Sequence, residues 1–141
     1  MVALKPGPIP KQGMPAKKKK GMRRYEEELE GPLTPREWVE AIAKRHKIFG
    51  SRDLRCPVSG VLFPWWQMDF HHPYEKSALR NARLFHLVWD PRNGIPVAPA
   101  VHARHHLGIE RIPGRALHPL NLEFAAELGQ AELDLVKSLH P

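Results

Sequence analysis

The sequence predicts a small α+β domain behind a basic tail, and three observations carry that prediction. Short runs rich in β-formers, Val61 to Phe70, Phe85 to Trp89 and Ile95 to Val97, occupy the centre and are separated by turn signals. Segments with helical spacing flank them, one from Pro35 towards Gly50 and one from about residue 121 to 139. The third observation is compositional: residues 1–24 hold eight Lys or Arg and no acid, with Pro6, Pro8, Pro10 and Pro15 among them. Such a stretch buries too little apolar surface to offset its ordering entropy. It is expected to be a disordered arm, which leaves 25–141 as the folded domain.

The elements follow in order. Thr34-Pro35-Arg36-Glu37 combines an N-cap, a proline at the first helical position and an early acid. Trp38, Val39, Ile42 and Ala43 then give that helix an apolar face. Cys56-Pro57-Val58-Ser59-Gly60 punctuates, and the extended run that follows carries Trp65 and Trp66, which read as packing residues before base-stacking ones. Residues 76–84 read as a short helix or ordered loop, and Phe85 to Trp89 as a further strand. Asp90-Pro91-Arg92-Asn93-Gly94 is a turn. Pro99 opens a helix that runs to Leu107. Phe124, Leu128, Ala131, Leu135 and Leu139 give the closing segment, 121–139, an amphipathic helical pattern that could alternatively seam a homodimer.

With 141 residues, 42% hydrophobic and 26% charged, the chain fits one globular domain. That composition excludes collagen-like, mucin-like and wholly disordered proteins. No run reaches the roughly 20 apolar residues that span a bilayer, and the lysine-rich start has no apolar stretch behind it for a secretory signal. A soluble intracellular protein, cytoplasmic and without a membrane partner, is expected. Cys56 is the single cysteine, so an internal disulfide and a four-thiolate zinc site are both excluded. The net charge of +7 resides in the arm and in the block 36–115, which has thirteen basic against seven acidic side chains. Lys17, Lys18, Lys19 and Lys20 would release counterions from nucleic acid, although a purely solubilising tail accounts for them as well.

Histidine is the informative residue. Of nine, five fall in two groups, His71-His72 and His102, His105, His106. On a helix, His102 and His106 share one face at roughly 5–6 Å between Cβ atoms, within reach of one cation, and His105 points elsewhere. His46, His86, His118 and His140 stand alone and read as ordinary surface or satisfied residues.

Asp69-Phe70-His71-His72-Pro73, then Asn93-Gly94-Ile95-Pro96-Val97, then His102-x3-His106 resembles the HNH endonuclease signature of the His-Me finger, or ββα-metal, nucleases. The asparagine-to-histidine offset of nine residues, Asn93 to His102, is that of the family, and His106 fills the place of a further metal-binding histidine found in its colicin-like members. The resemblance covers roughly residues 55–107. It implies a ββα-metal core and a divalent-metal-dependent endonuclease hydrolysing phosphodiester bonds in DNA. A setting in recombination, repair or packaging, as in phage-encoded members, is implied with it.

Carried onto this sequence, the resemblance makes His72 the general base, Asn93 the residue that fixes the loop and orients His72, and His71, His102 and His106 the ligands of one divalent ion. Three imidazoles favour Zn²⁺, Ni²⁺, Co²⁺ or Mn²⁺ over Mg²⁺; a site that includes Asp69 and accepts Mg²⁺ is the alternative. Arg80, Arg83, Arg92, Arg104, Arg111 and Arg115 are candidates to grip phosphate, Arg104 first because it shares the metal-bearing helix. The chain departs from the many members that tie the finger with two CxxC pairs on zinc. Here those positions read Cys56-x-x-Ser59 and Ala98-x-x-Val101. No structural zinc is therefore expected, with apolar contacts in its place and Cys56 as a small buried hydrophobe. Two other readings stand beside the nuclease: a non-catalytic DNA-binding module that keeps the finger as scaffold, and a zinc-dependent adaptor whose site is closed by a fourth protein ligand such as His105.

Overall fold

The computed structural model describes residues 29–47 and 50–141. The arm, with Lys17 to Lys20, lies outside the described residues. Among those described, the chain forms five helices and two small antiparallel sheets, an α+β arrangement.

Helix α1 (Pro35–His46) starts where its caps dictate. The Thr34 hydroxyl accepts from the Glu37 N–H at 3.1 Å, and the Glu37 carboxylate accepts from the Thr34 N–H at 2.9 Å, so two otherwise orphaned donors are satisfied. Its Trp38, Ile42 and Ala43 face inward. Strands β1 (Asp53–Arg55) and β2 (Leu62–Pro64) form a hairpin around the Cys56–Gly60 turn, where Gly60 adopts φ +76° and its N–H donates to the Cys56 carbonyl at 2.8 Å.

The expected single run from Val61 to Phe70 is broken. Pro64 supplies no N–H to prolong the ladder, Trp65–Gln67 coils into a 3₁₀ turn, and extended chain resumes only at β3 (Asp69–His71). Trp65 packs against the core as expected, whereas Trp66 stays half-exposed with the Arg52 guanidinium 4.8 Å from its ring. Strand β3 pairs with β4 (Ile95–Val97) in the register Asp69–Val97, Phe70–Pro96, His71–Ile95. Between them lie α2 (Lys76–Asn81) and a 3₁₀ turn at Phe85–Leu87. A strand was expected at Phe85 to Trp89. A short apolar run does not distinguish the two conformations, and here Val88 is buried while Leu84 and Leu87 pack on the same cluster, a helical rather than alternating spacing.

Helix α3 (Pro99–His106) follows β4 directly, with Pro99 in its first turn. The closing helix expected over 121–139 is two: α4 (Pro119–Leu128) and α5 (Gln130–Leu139), packed against each other and separated at Gly129, whose φ of +149° ends the first and starts the second. His118 caps α4, its Nδ1 accepting from the Leu120 N–H at 3.1 Å.

Two apolar clusters hold these pieces. One gathers Ala43, Leu54, Met68, Ile95, Val97, Val101 and Ile112 around Cys56, and the other gathers Tyr74, Leu79 and Val88 with Phe124 and Val136 of the closing helices. At the positions of the CxxC pairs, Cys56, Ala98 and Val101 share the first cluster, and the Cys56 sulfur accepts from the N–H groups of Ser59 at 3.4 Å and Ala98 at 3.3 Å. Apolar packing and two weak hydrogen bonds stand at the place of four thiolates.

Candidate metal and catalytic centre

Strand β3 ends at His71 and His72 follows it in the chain, and because successive side chains of extended backbone leave opposite faces, the two enter different surroundings. His71 is 1% exposed and meets α3. There His102 and His106, one turn apart, bring their Nε2 atoms to 3.0 Å. One ring nitrogen from each of His71, His102 and His106 falls within 4.8 Å of the others. Two nitrogens on a tetrahedral Zn²⁺ at its usual bond length stand about 3.3 Å apart, so the donor set fits a divalent ion of that kind. Asp69, on the face of β3 that carries His71, places Oδ2 3.0 Å from His102 Nδ1. The His102 Nδ1–H donates to that carboxylate, so the lone pair of His102 is on Nε2, where it accepts from the His106 Nε2–H. Asp69 therefore stands behind a ligand and outside the ligand group.

Two further histidines meet His71. His105 points away from the face shared by His102 and His106, as expected, whereas His140 was expected to be an ordinary isolated residue. Both are buried against the other side of His71, with one nitrogen from each of the three within 4.8 Å. Hydrogen-bond accounting separates this group from the first. His105 Nδ1 accepts from the Ile112 N–H at 2.9 Å, so the proton of its neutral ring is on Nε2 and no lone pair remains for an ion. Among the described residues, no fourth side chain joins His71, His102 and His106.

His72 turns the other way. Its ring stacks on Trp38 at 4.1 Å between centroids and 12° between planes, and meets Trp89 edge-on at 5.5 Å. Its Nε2–H donates to the Val88 carbonyl at 3.0 Å, which leaves Nδ1 as the nitrogen able to take a proton. Burial pushes its pKa down to about 3, against the opposing pull of the Val88 carbonyl, so the ring is neutral at physiological pH.

Asn93 ties down a loop through hydrogen bonds to Tyr74, not to His72. Its Nδ2–H donates to the Tyr74 carbonyl at 2.8 Å and its Oδ1 accepts from the Tyr74 N–H at 3.0 Å, tying the 90–94 turn to the chain two residues beyond His72. The bond that orients the imidazole comes from Val88. Further side chains clamp the same turn: Trp38 donates to the Asp90 carbonyl, Arg45 to those of Pro91 and Gly94, and Asn121 of α4 to those of Arg92 and Gly94.

A cleft of about 430 Å3 opens over this constellation, lined by His71, His72, His102 and His106 and, from the α2 segment, by Glu75, Lys76, Ser77 and Arg80. Its cations are not those ranked first from the sequence. Arg104 pairs with Glu110 at 3.3 Å, and Arg92 is held by Asp90 and Glu127 at 3.0 and 2.7 Å; neither lines the cleft. Arg80 does, anchored by Glu30 at 2.8 Å, and Lys76 sits with Nζ 5.2 Å from the Trp89 ring centroid. Lys76 carries no signal in the sequence that separates it from other surface lysines. Comparison of the chain with protein-family models, with curated proteins and with solved structures found no match.

Proposed function

We propose that the chain is a divalent-metal-dependent endonuclease acting on DNA, with β3, β4 and α3 as a ββα-metal finger. The observation that supports this reading is one cleft containing three converging histidines with no fourth protein ligand among the described residues, beside a neutral histidine with one nitrogen fixed and the other free. A closed structural site would need the fourth ligand, which favours the enzyme over the adaptor.

An ion bound by His71, His102 and His106 would neutralise the scissile phosphate and stabilise the leaving 3′ oxygen. His72 removes the proton: water in the cleft gives it to Nδ1 as the water oxygen attacks phosphorus, and the Val88 carbonyl holds the ring in the tautomer that this requires. Drawing an anionic phosphate into the cleft stabilises the resulting imidazolium and so raises the proton affinity that burial had lowered. Lys76 places a positive charge on the cleft wall, and Asn93 keeps the chain beyond His72 from shifting.

The test is cleavage of supercoiled plasmid, single-stranded circle and branched junction by wild type and His72→Ala across Mg²⁺, Mn²⁺, Ni²⁺, Zn²⁺ and EDTA. Metal-dependent cutting is expected to fall by about 10²- to 10⁴-fold in the variant, the usual contribution of a general base, with Zn²⁺ affinity retained. Equal inertness of both proteins that still bind DNA would leave the non-catalytic binding module as the correct reading.

A further inference from the structure

The proton positions around His71 can be traced from the hydrogen bonds of its neighbours, starting at the loop beyond α5. His140, buried there, donates its Nδ1–H to the Val136 carbonyl at 2.6 Å. A neutral imidazole has one proton, so His140 Nε2 is a bare lone pair. It lies 2.9 Å from His71 Nε2. Two lone pairs do not face each other at that distance, so His71 Nε2 carries the hydrogen and donates it. His71 Nδ1 is then bare, and it is a buried nitrogen with no hydrogen-bond partner. It is the only lone pair His71 has left to offer the group it forms with His102 and His106. His105 stacks on His140 at 5.1 Å and 20°, and is itself fixed by the Ile112 N–H, so it supports the relay without entering it.

We propose that His140 is a positioning residue for the metal centre: it holds the proton of His71 on Nε2 and thereby makes Nδ1 the ligating nitrogen. The inference rests on the metal reading given above, and extends it to a residue outside the finger. Asp69 does the same for His102 through a carboxylate, so two of the three ligands would have their tautomers set from behind, by chemically different groups.

The test uses the full chain, with and without Zn²⁺. Long-range ¹H–¹⁵N spectra of the ion-free wild type should show His71 as the Nε2–H tautomer, and addition of Zn²⁺ should perturb Nδ1 as the metallated nitrogen. By calorimetry, His140→Leu should weaken Zn²⁺ binding about 10- to 100-fold, the usual effect of losing such a support, and His140→Gln, whose carbonyl oxygen can still accept from His71, should recover most of it. An Nδ1–H tautomer in the wild type, metallation at Nε2, or wild-type affinity in His140→Leu would overturn the inference while leaving the nuclease reading intact. Loss of Zn²⁺ uptake in His105→Gln with none in His102→Gln would move the ion to the buried group and overturn it as well. Absence of Zn²⁺ binding by the wild type would overturn the metal reading itself. If His140→Leu does not fold, the wild-type spectra and His140→Gln still decide.

Discussion

A histidine here is defined by what its two nitrogens already do. His72 has given one to Val88, His105 has its lone pair taken by the Ile112 N–H, and His102 has given one to Asp69. Residue type alone does not separate base, spacer and ligand. Asp69→Ala is accordingly expected to weaken Zn²⁺ binding about 10- to 100-fold by freeing the His102 ring. The pair is partly exposed, so the melting temperature of the ion-free protein should barely change; calorimetric titration and thermal unfolding together check this. The residues that the sequence made legible, His71, His72, Asn93, His102 and His106, are local signals, set by strand alternation, a turn and one helical repeat. Val88, His140 and Lys76 were not legible. The first acts through its backbone carbonyl, the second meets His71 across 69 positions of chain, and the third reaches the cleft only through the placement of α2.

At the scale of elements, the 90–94 turn and α1 behave as one unit. A Cβ on Gly94 would fall on the Ile42 side chain and the Trp38 ring, both on the buried face of α1. Gly94→Ala should therefore destabilise the fold by about 1–3 kcal/mol, the usual cost of overpacking, and should displace the ring on which His72 stacks. Chemical denaturation measures the first effect; a loss of cleavage exceeding the loss of folded fraction would show the second. Helix α1 was readable because its cap and its apolar repeat agree. The segments 85–89 and 121–139 were not, because a short apolar run suits either conformation and Gly129 breaks a pattern whose spacing alone suggests continuity.

Across the whole molecule, buried histidines make stability depend on acidity. Burial, with Arg45 and His118 adding to it, brings the His46 pKa down to about 4, and burial takes His72 to about 3 and His105 to about 4. Each ring is neutral when folded, whereas in the unfolded chain it titrates near its ordinary 6.5. Between about pH 4 and 6.5 the unfolded state therefore binds more protons, and stability falls as pH is lowered through that window. His118 belongs to the same effect, since its Nδ1 can cap α4 only while unprotonated. Scanning calorimetry of the ion-free protein at pH 7.5 and 5.5 should show a melting temperature lower by roughly 5–10 °C at the acid end. His46→Gln should reduce that difference, and a pH-independent melting temperature would contradict it.

The ladder between β3 and β4 is only three pairs long, yet it decides which of two chemically identical neighbours is which. A slip of one position would carry His72 to the face that meets α3 and His71 to the face that meets Trp38, exchanging the proposed roles of ion holder and proton acceptor without altering a single side chain. Inserting or deleting one residue between Met68 and His71 would have the same effect. The chemistry of this chain is written in reading frame as much as in residue identity.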